Sequence, residues 1–148
     1  MWPKSHILLG LLFSIIIWII FPQLTLSTIL IIFLSSVLID IDHYAVYVYR
    51  KKQFSLKKAL KYYADLQEIF SEKVKQNPKL KYHLHLLHTI EILLIVIFLS
   101  LYFNFFYILI GFSFHLITDT IDLAIREALR VREFSLIRYI FSAKKNYL

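Results

Sequence analysis

The sequence has no cysteine at all, and only two glycines and three prolines in 148 residues. Without thiols there is no disulfide and no thiolate metal site, so any metal must be held by His, Asp or Glu. No internal repeat and no low-complexity linker interrupts the chain, and the length suits a single domain. What is plentiful is apolar: 59% of residues are hydrophobic and 17% aromatic, gathered in long blocks. That composition reads as an integral membrane protein. The net charge of +7 raises nucleic acid as a partner. The basic residues flank the apolar blocks, however, so anionic lipid headgroups are the simpler partner and no nucleic acid is expected.

Residues 7–21 and 24–39 are two charge-free runs broken by Pro22-Gln23. Each is short of the roughly 20 residues of an ordinary span, so flanking residues must help to cross a core of about 30 Å. A cleaved signal peptide is the alternative for the first run, but it is long for one and no small-residue cleavage site follows. Apolar character then extends from Leu86 to Ile125. At 1.5 Å per residue that is about 60 Å of helix, two crossings rather than one, with a turn at Asn104. With four spans, all 17 Lys and Arg residues fall on the side opposite the two tight turns. The positive-inside rule makes that side cytoplasmic, termini included. The expectation is therefore an all-α, polytopic inner-membrane protein with spans at about 6–21, 24–42, 83–103 and 105–123, with oligomerisation left open.

Two further segments carry an apolar stripe at helical spacing with basic residues beside it. Residues 54–75 place Leu56, Leu60, Tyr63, Leu66, Phe70 and Val74 on one face, and residues 124–142 are similar and rich in arginine. Both are expected as interfacial amphipathic helices on the cytoplasmic side.

This topology gathers all six histidines and five of the ten acids at the cytoplasmic ends of four adjacent helices. His6 opens the first span; Asp40, Asp42 and His43 close the second. His83, His85, His88 and Glu91 open the third, and His115, Asp119 and Asp122 close the fourth. Glu91 and His115 lie about two turns inside their helix ends, on the order of 10 Å below the surface. Ionisable groups at that depth need partners or a wet cavity and are functional sites by default. Imidazoles and carboxylates without thiol or lysine make a first shell for a divalent metal: zinc first, with manganese or iron as alternatives, in one to three ions. Plainer roles stay open at the rim. His6 can be interfacial, Asp42 and His43 can be polar helix ends facing water, and His85 can point to lipid heads. Asp122 can be a surface acid or can orient a ligand histidine.

These residues resemble the signatures of a family of small bacterial and archaeal membrane-bound metal-dependent hydrolases. His6 and Gly10 match its opening His-x-x-x-Gly, and Asp40, Asp42 and His43 match its Pro-Asp-x-Asp-His, with Ile39 in place of the proline. His83, His88 and Thr89 align with a His-Arg-Gly-x-Thr-His-Ser stretch, where Leu84, His85 and Leu87 replace the arginine, glycine and first threonine. Gly111, His115 and Asp119 match a closing Gly-x-x-x-His-x-x-x-Asp. Glu91 looks like the additional carboxylate ligand of archaeal-type members. If the arginine binds substrate in relatives, its loss here implies another cation or another substrate. A more distant likeness is to zinc-dependent phospholipase C and the related fungal single-strand nucleases, which implies a phosphoester.

The function expected is hydrolysis of an ester or phosphoester, in a lipid reaching the site sideways, through a metal-activated water. Asp42, His88, Glu91, His115 and Asp119 are the expected ligands, Asp40 the general base, and His83 the group serving the leaving atom. His6, His43, His85 and Asp122 are expected as supporting or additional ligands. Two other readings use the same sequence: a proton- or metal-ion transporter, and a membrane adaptor with a structural metal.

Overall fold

A computed structural model of the chain describes residues 3–76, 84–103, 105–126, 128–129 and 132–141, without side chains for Pro3 and 67–76. Every described element is helical, and no strand occurs among these residues. In chain order they are α1 (Pro3–Ile20), α2 (Leu26–Val37), α3 (Ile41–Lys51), α4 (Leu56–Gln76), α5 (Ile90–Phe103), α6 (Phe106–Ile125) and α7 (Leu136–Phe141). Short 3₁₀ turns at Leu38–Asp40 and Leu86–His88 complete the set.

Pro22 and Gln23 end α1, and Thr25 caps α2 by accepting a hydrogen bond on its hydroxyl from the Thr28 amide at 3.3 Å. Such a cap satisfies one of the amides a helix leaves unpaired at its start. The chain then continues helically through the first 3₁₀ turn into α3, ending where Lys52 adopts left-handed backbone (φ 54°). The helix that carries the second apolar run therefore continues past residue 42 to Lys51.

The expectation of four spans is corrected. Among the described residues, two helices are both long and apolar enough to cross a membrane: the continuous Leu26–Lys51 and Phe106–Ile125. Lys4–Ile20 and Ile90–Phe103 are apolar but shorter. Local backbone accounts for the short α5. Residues 84–89 leave the helix for extended and 3₁₀ conformation, so it begins at Ile90 rather than at 83. The turn expected at Asn104 lies outside the described residues, although α5 and α6 do end and begin on either side of it.

Of the two segments expected as interfacial amphipathic helices, 54–75 is helical, as α4. The one expected over 124–142 is not a continuous helix. The chain leaves α6 after Ile125, residues 132–135 are not helical, and Ser135 caps α7 by accepting the Arg138 amide at 3.1 Å. Between them the Phe134 carbonyl accepts the Ile90 amide at 2.8 Å, docking this segment on the start of α5.

Helices α2 and α6 form the centre, with α1 against α2 and α5 against α6. Both glycines of the chain sit where helices approach α2. A Cβ on Gly111 would strike the Ile32 carbonyl and the Ser35 hydroxyl, and one on Gly10 would strike the Ser36 hydroxyl. Small residues at such crossings let backbones close up, the packing device of helices in lipid. The serines need no partner across the interface: Ser14, Ser35 and Ser36 donate to carbonyls of their own helices at 2.7–3.0 Å.

Among the described residues the interior mixes polar side chains with Ile29, Ile32, Ile39, Tyr47, Ala59 and Phe112, and many large apolar side chains lie outside. The buried set contains His6, Ser14, Ser36, Asp42, His88, Thr89, His115, Asp119 and Glu133, while Ile7, Leu8, Ile19, Leu30, Leu94 and Leu101 lie exposed. Only 28% and 22% of the most apolar stretches of the two long helices are buried, unlike the core helices of a soluble protein.

Candidate metal centre

The 3₁₀ turn at Leu38–Asp40 resets the helix phase between α2 and α3. In a regular helix Asp40 and Asp42 would point about 200° apart. Here they flank the same imidazole: His88 Nε2 lies 3.6 Å from Asp40 Oδ1, and His88 Nδ1 lies 3.1 Å from Asp42 Oδ2. His88 reaches between them because residues 84–89 are not helical, and the Leu87 amide donates to Asp42 Oδ2 at 3.0 Å to hold the turn. From α6, His115 is wholly buried and Asp119 nearly so. From α1, the His6 ring stacks on His115 with centroids 4.2 Å apart, and its Nε2 lies 3.0 Å from Asp119 Oδ1.

Tautomers follow from the partners. His115 Nδ1 faces the Ser36 carbonyl at 2.8 Å, and a carbonyl can only accept, so Nδ1 carries the proton. His88 Nδ1 faces the Asp42 carboxylate and carries its proton in the same way. With both rings neutral each Nε2 is a lone pair, and the two point at each other across 3.0 Å. Asp40 Oδ1 lies 3.6 Å from each, and Asp119 Oδ2 lies 3.6 Å from His88 Nε2. Two facing lone pairs ringed by carboxylate oxygens repel unless a proton or a metal cation stands between them. A ligand histidine held by an oxygen acceptor on its far nitrogen is the usual support of a metal site.

A second convergence lies beside the first. Asp42 Oδ1 is buried with no hydrogen-bond partner, the only such side-chain atom among the described residues. His43 Nδ1 and His85 Nδ1 each stand 4.0 Å from it, and the two imidazoles approach to 2.8 Å. A buried carboxylate oxygen left bare is costly, and a cation would satisfy it. Asp40 joins the two regions, since its Oδ1 is also 3.3 Å from His43 Nε2. The donors form four overlapping groups of three with all ligand atoms within 4.8 Å: His6–Asp40–His115, Asp40–His43–His88, Asp42–His43–His85 and His88–His115–Asp119. Buried groups of this composition can hold a metal ion.

Two expected site residues stand elsewhere. Glu91 was expected as a metal ligand alongside His88, but the break at Thr89 turns it to α7. There its carboxylate accepts from the Ser135 hydroxyl at 2.6 Å and the Leu136 and Ile137 amides at 2.9 and 3.2 Å. Asp122 pairs with Arg126 one turn on, at 3.0 Å, and is not among the converging ligand atoms. His83 lies outside the described residues.

Two contributors carry no sequence signal of their role. Arg132, one arginine among several in the segment after α6, donates from Nη1 to Asp119 Oδ2 at 2.7 Å. Ser135, in a cap position before Leu136, was the available hint that the helix restarts and that Arg132 precedes it in a loop. From α4, Tyr63 donates to the His43 carbonyl at 2.7 Å and packs its ring 5.2 Å from that imidazole. Burial pushes the Tyr63 phenol up, well above its ordinary range.

No protein-family model, curated protein or solved structure matches the chain. Its class therefore rests on its own geometry: an all-helical protein with two helices able to cross a membrane and a buried His/Asp cluster able to hold metal.

Proposed function

We propose that the chain is a membrane-embedded, metal-dependent hydrolase of an ester or phosphoester, acting on a lipid that reaches the site between helices. The observation that carries this reading is the pair of Nε2 atoms of His88 and His115, facing each other at 3.0 Å among the carboxylates of Asp40 and Asp119. A divalent ion bound there, zinc before manganese or iron, supplies Lewis acidity and lowers the pKa of water.

The chain's own groups do the rest. Asp42 and the Ser36 carbonyl fix the two imidazoles in the ligand tautomer. Asp40 is the most exposed of the three central carboxylates, at 18% against 9% for Asp42 and 5% for Asp119. Its Oδ1 faces three imidazoles and serves as a ligand, which leaves Oδ2 to take a proton from incoming water. His6 and Arg132 hold the two oxygens of Asp119.

In this reading α2–α3 and α6 cross the membrane and the shorter α1 and α5 flank them in lipid. The exposed apolar exterior supports it, because contiguous apolar surface on this scale is unstable in water. The basic residues of the segment that follows α6, among them Arg126, Arg132 and Arg138, support a site beside anionic headgroups.

The test is elemental mass spectrometry of detergent-purified, chelator-free protein, with a panel of carboxylic and phosphoric ester substrates. Near-stoichiometric metal and turnover that a chelator abolishes support the reading. Folded protein that takes up no metal would sink it.

A further inference from the structure

We propose that Arg132 is the substrate-binding residue of this site and that the group it binds is a phosphate. The inference rests on the metal-centre reading and narrows its substrate from esters in general to phosphoesters. Among the described residues, Arg132 is the one Lys or Arg side chain in hydrogen-bond contact with the ligand cluster, and its side chain is only 12% exposed. It spends one N–H, from Nη1, on Asp119 Oδ2. Its other N–H groups are not among the buried atoms lacking a partner, so solvent reaches them. A guanidinium presents five donors in a planar fork that matches the oxygens of a phosphate two at a time.

Position and charge both favour that ligand. The guanidinium is built into the site: it lies over the Phe134 ring at 5.7 Å, and the Phe134 carbonyl is bonded to the Ile90 amide. The next residues are held by Glu91. Among the described side chains, Asp40, Asp42 and Asp119 bring three negative charges against the one positive charge of Arg132. Without cations the cluster repels an anion. With two divalent ions, one for each convergence, the balance becomes two positive charges, the complement of a phosphate monoester dianion. Phosphate binding at this place must therefore require both the metal and Arg132.

The probe is inorganic phosphate on the full chain in detergent, loaded with manganese and followed by ³¹P relaxation, with manganese content measured in parallel. The proposal expects phosphate to be relaxed by the bound manganese and to be displaced poorly by acetate. It expects R132Q to weaken phosphate about 10–100-fold at unchanged manganese content, the loss of a charge-assisted pair. R132K keeps a charge beside Asp119 without the fork, and should retain manganese with an intermediate loss. Nanodiscs with and without phosphatidic acid separate the sources: displacement of inorganic phosphate by phosphatidic acid assigns a lipid headgroup, and its absence a soluble phosphoester. Wild-type phosphate affinity in R132Q with manganese in place overturns the proposal and leaves the hydrolase reading standing. So does R132Q that loses manganese while R132K binds manganese and phosphate like the wild type, which makes the arginine a support for Asp119. Wild-type protein that takes up no manganese overturns both.

Discussion

His88 and His115 direct their Nε2 atoms at each other across 3.0 Å, while the proton on the other nitrogen of each is held by Asp42 or by the Ser36 carbonyl. The two supports differ in kind. One is a side chain, open to substitution, and the other is backbone. Asp42→Asn keeps the shape but removes the charge that favours His88 Nδ1–H, and supporting partners of this sort are worth about 10–100-fold in metal affinity. His88→Ala and His115→Ala should lose the ion that these two rings share, and Asp42→Asn should weaken its binding less than either in a competition titration with a chromophoric chelator. Equal affinity in Asp42→Asn and wild type would remove Asp42 from this role.

The two glycines predict unequal costs. A methyl at Gly111 meets the Ile32 carbonyl and lies 3.0 Å from the Ser36 amide, both backbone, so the helices themselves must part. At Gly10 the first obstacle is the Ser36 hydroxyl, which can rotate at the cost of its bond to the Phe33 carbonyl. Gly111→Ala should cost about 1–3 kcal/mol, the range for overpacking a tight contact, and Gly10→Ala less. Thermal unfolding in one detergent compares them, and a larger loss at Gly10 contradicts the packing described.

Much of this was legible because ionisable residues inside apolar runs are expensive and stand out. Asp40, His88, His115 and Asp119 announce themselves that way, as do the charge-free runs that become α1, α2, α5 and α6. What a helical wheel could not supply is where the helix stops being α. The 3₁₀ turn at Leu38–Asp40 and the extended residues at 84–85 decide that Asp40 and Asp42 share His88, and the extended Thr89 turns Glu91 away from it. Span length was misread for the same reason, since periodicity continues through residues that the backbone uses for other ends. Arg132 was hidden because its role depends on a segment folding back across the chain, and neighbouring arginines carry the same local pattern.

Tyr63 offers a prediction in pH. Its hydroxyl donates to the His43 carbonyl, and burial raises the phenol above its ordinary value of about 10. A group whose folded pKa is raised contributes stability that is complete below the unfolded value and is lost as pH rises through the folded one. Wild-type stability should therefore decline from about pH 10 upward, and Tyr63→Phe should lack that part of the decline. At neutral pH the variant should lose about 0.5–1.5 kcal/mol, one neutral hydrogen bond. Unfolding curves at neutral and alkaline pH compare the two proteins, and identical alkaline slopes would refute the assignment.

Glu91 separates a cap from a ligand. Its carboxylate accepts the Ser135 hydroxyl and two amides at the start of α7, and the segment so anchored carries Arg132 to Asp119. Glu91→Gln leaves an oxygen to accept one bond but withdraws the charge that holds the first amides of α7. The variant should bind metal with nearly wild-type affinity while its residues 132–141 exchange amide hydrogens faster. Phosphate binding, which depends on the placement of Arg132, should weaken alongside. A metal ligand behaves in the opposite order: affinity for the ion falls first, and exchange in 132–141 changes only as far as the ion itself had slowed it. Hydrogen-exchange mass spectrometry and a metal titration on the same preparation read both quantities, and loss of metal without faster exchange would return Glu91 to the ligand set.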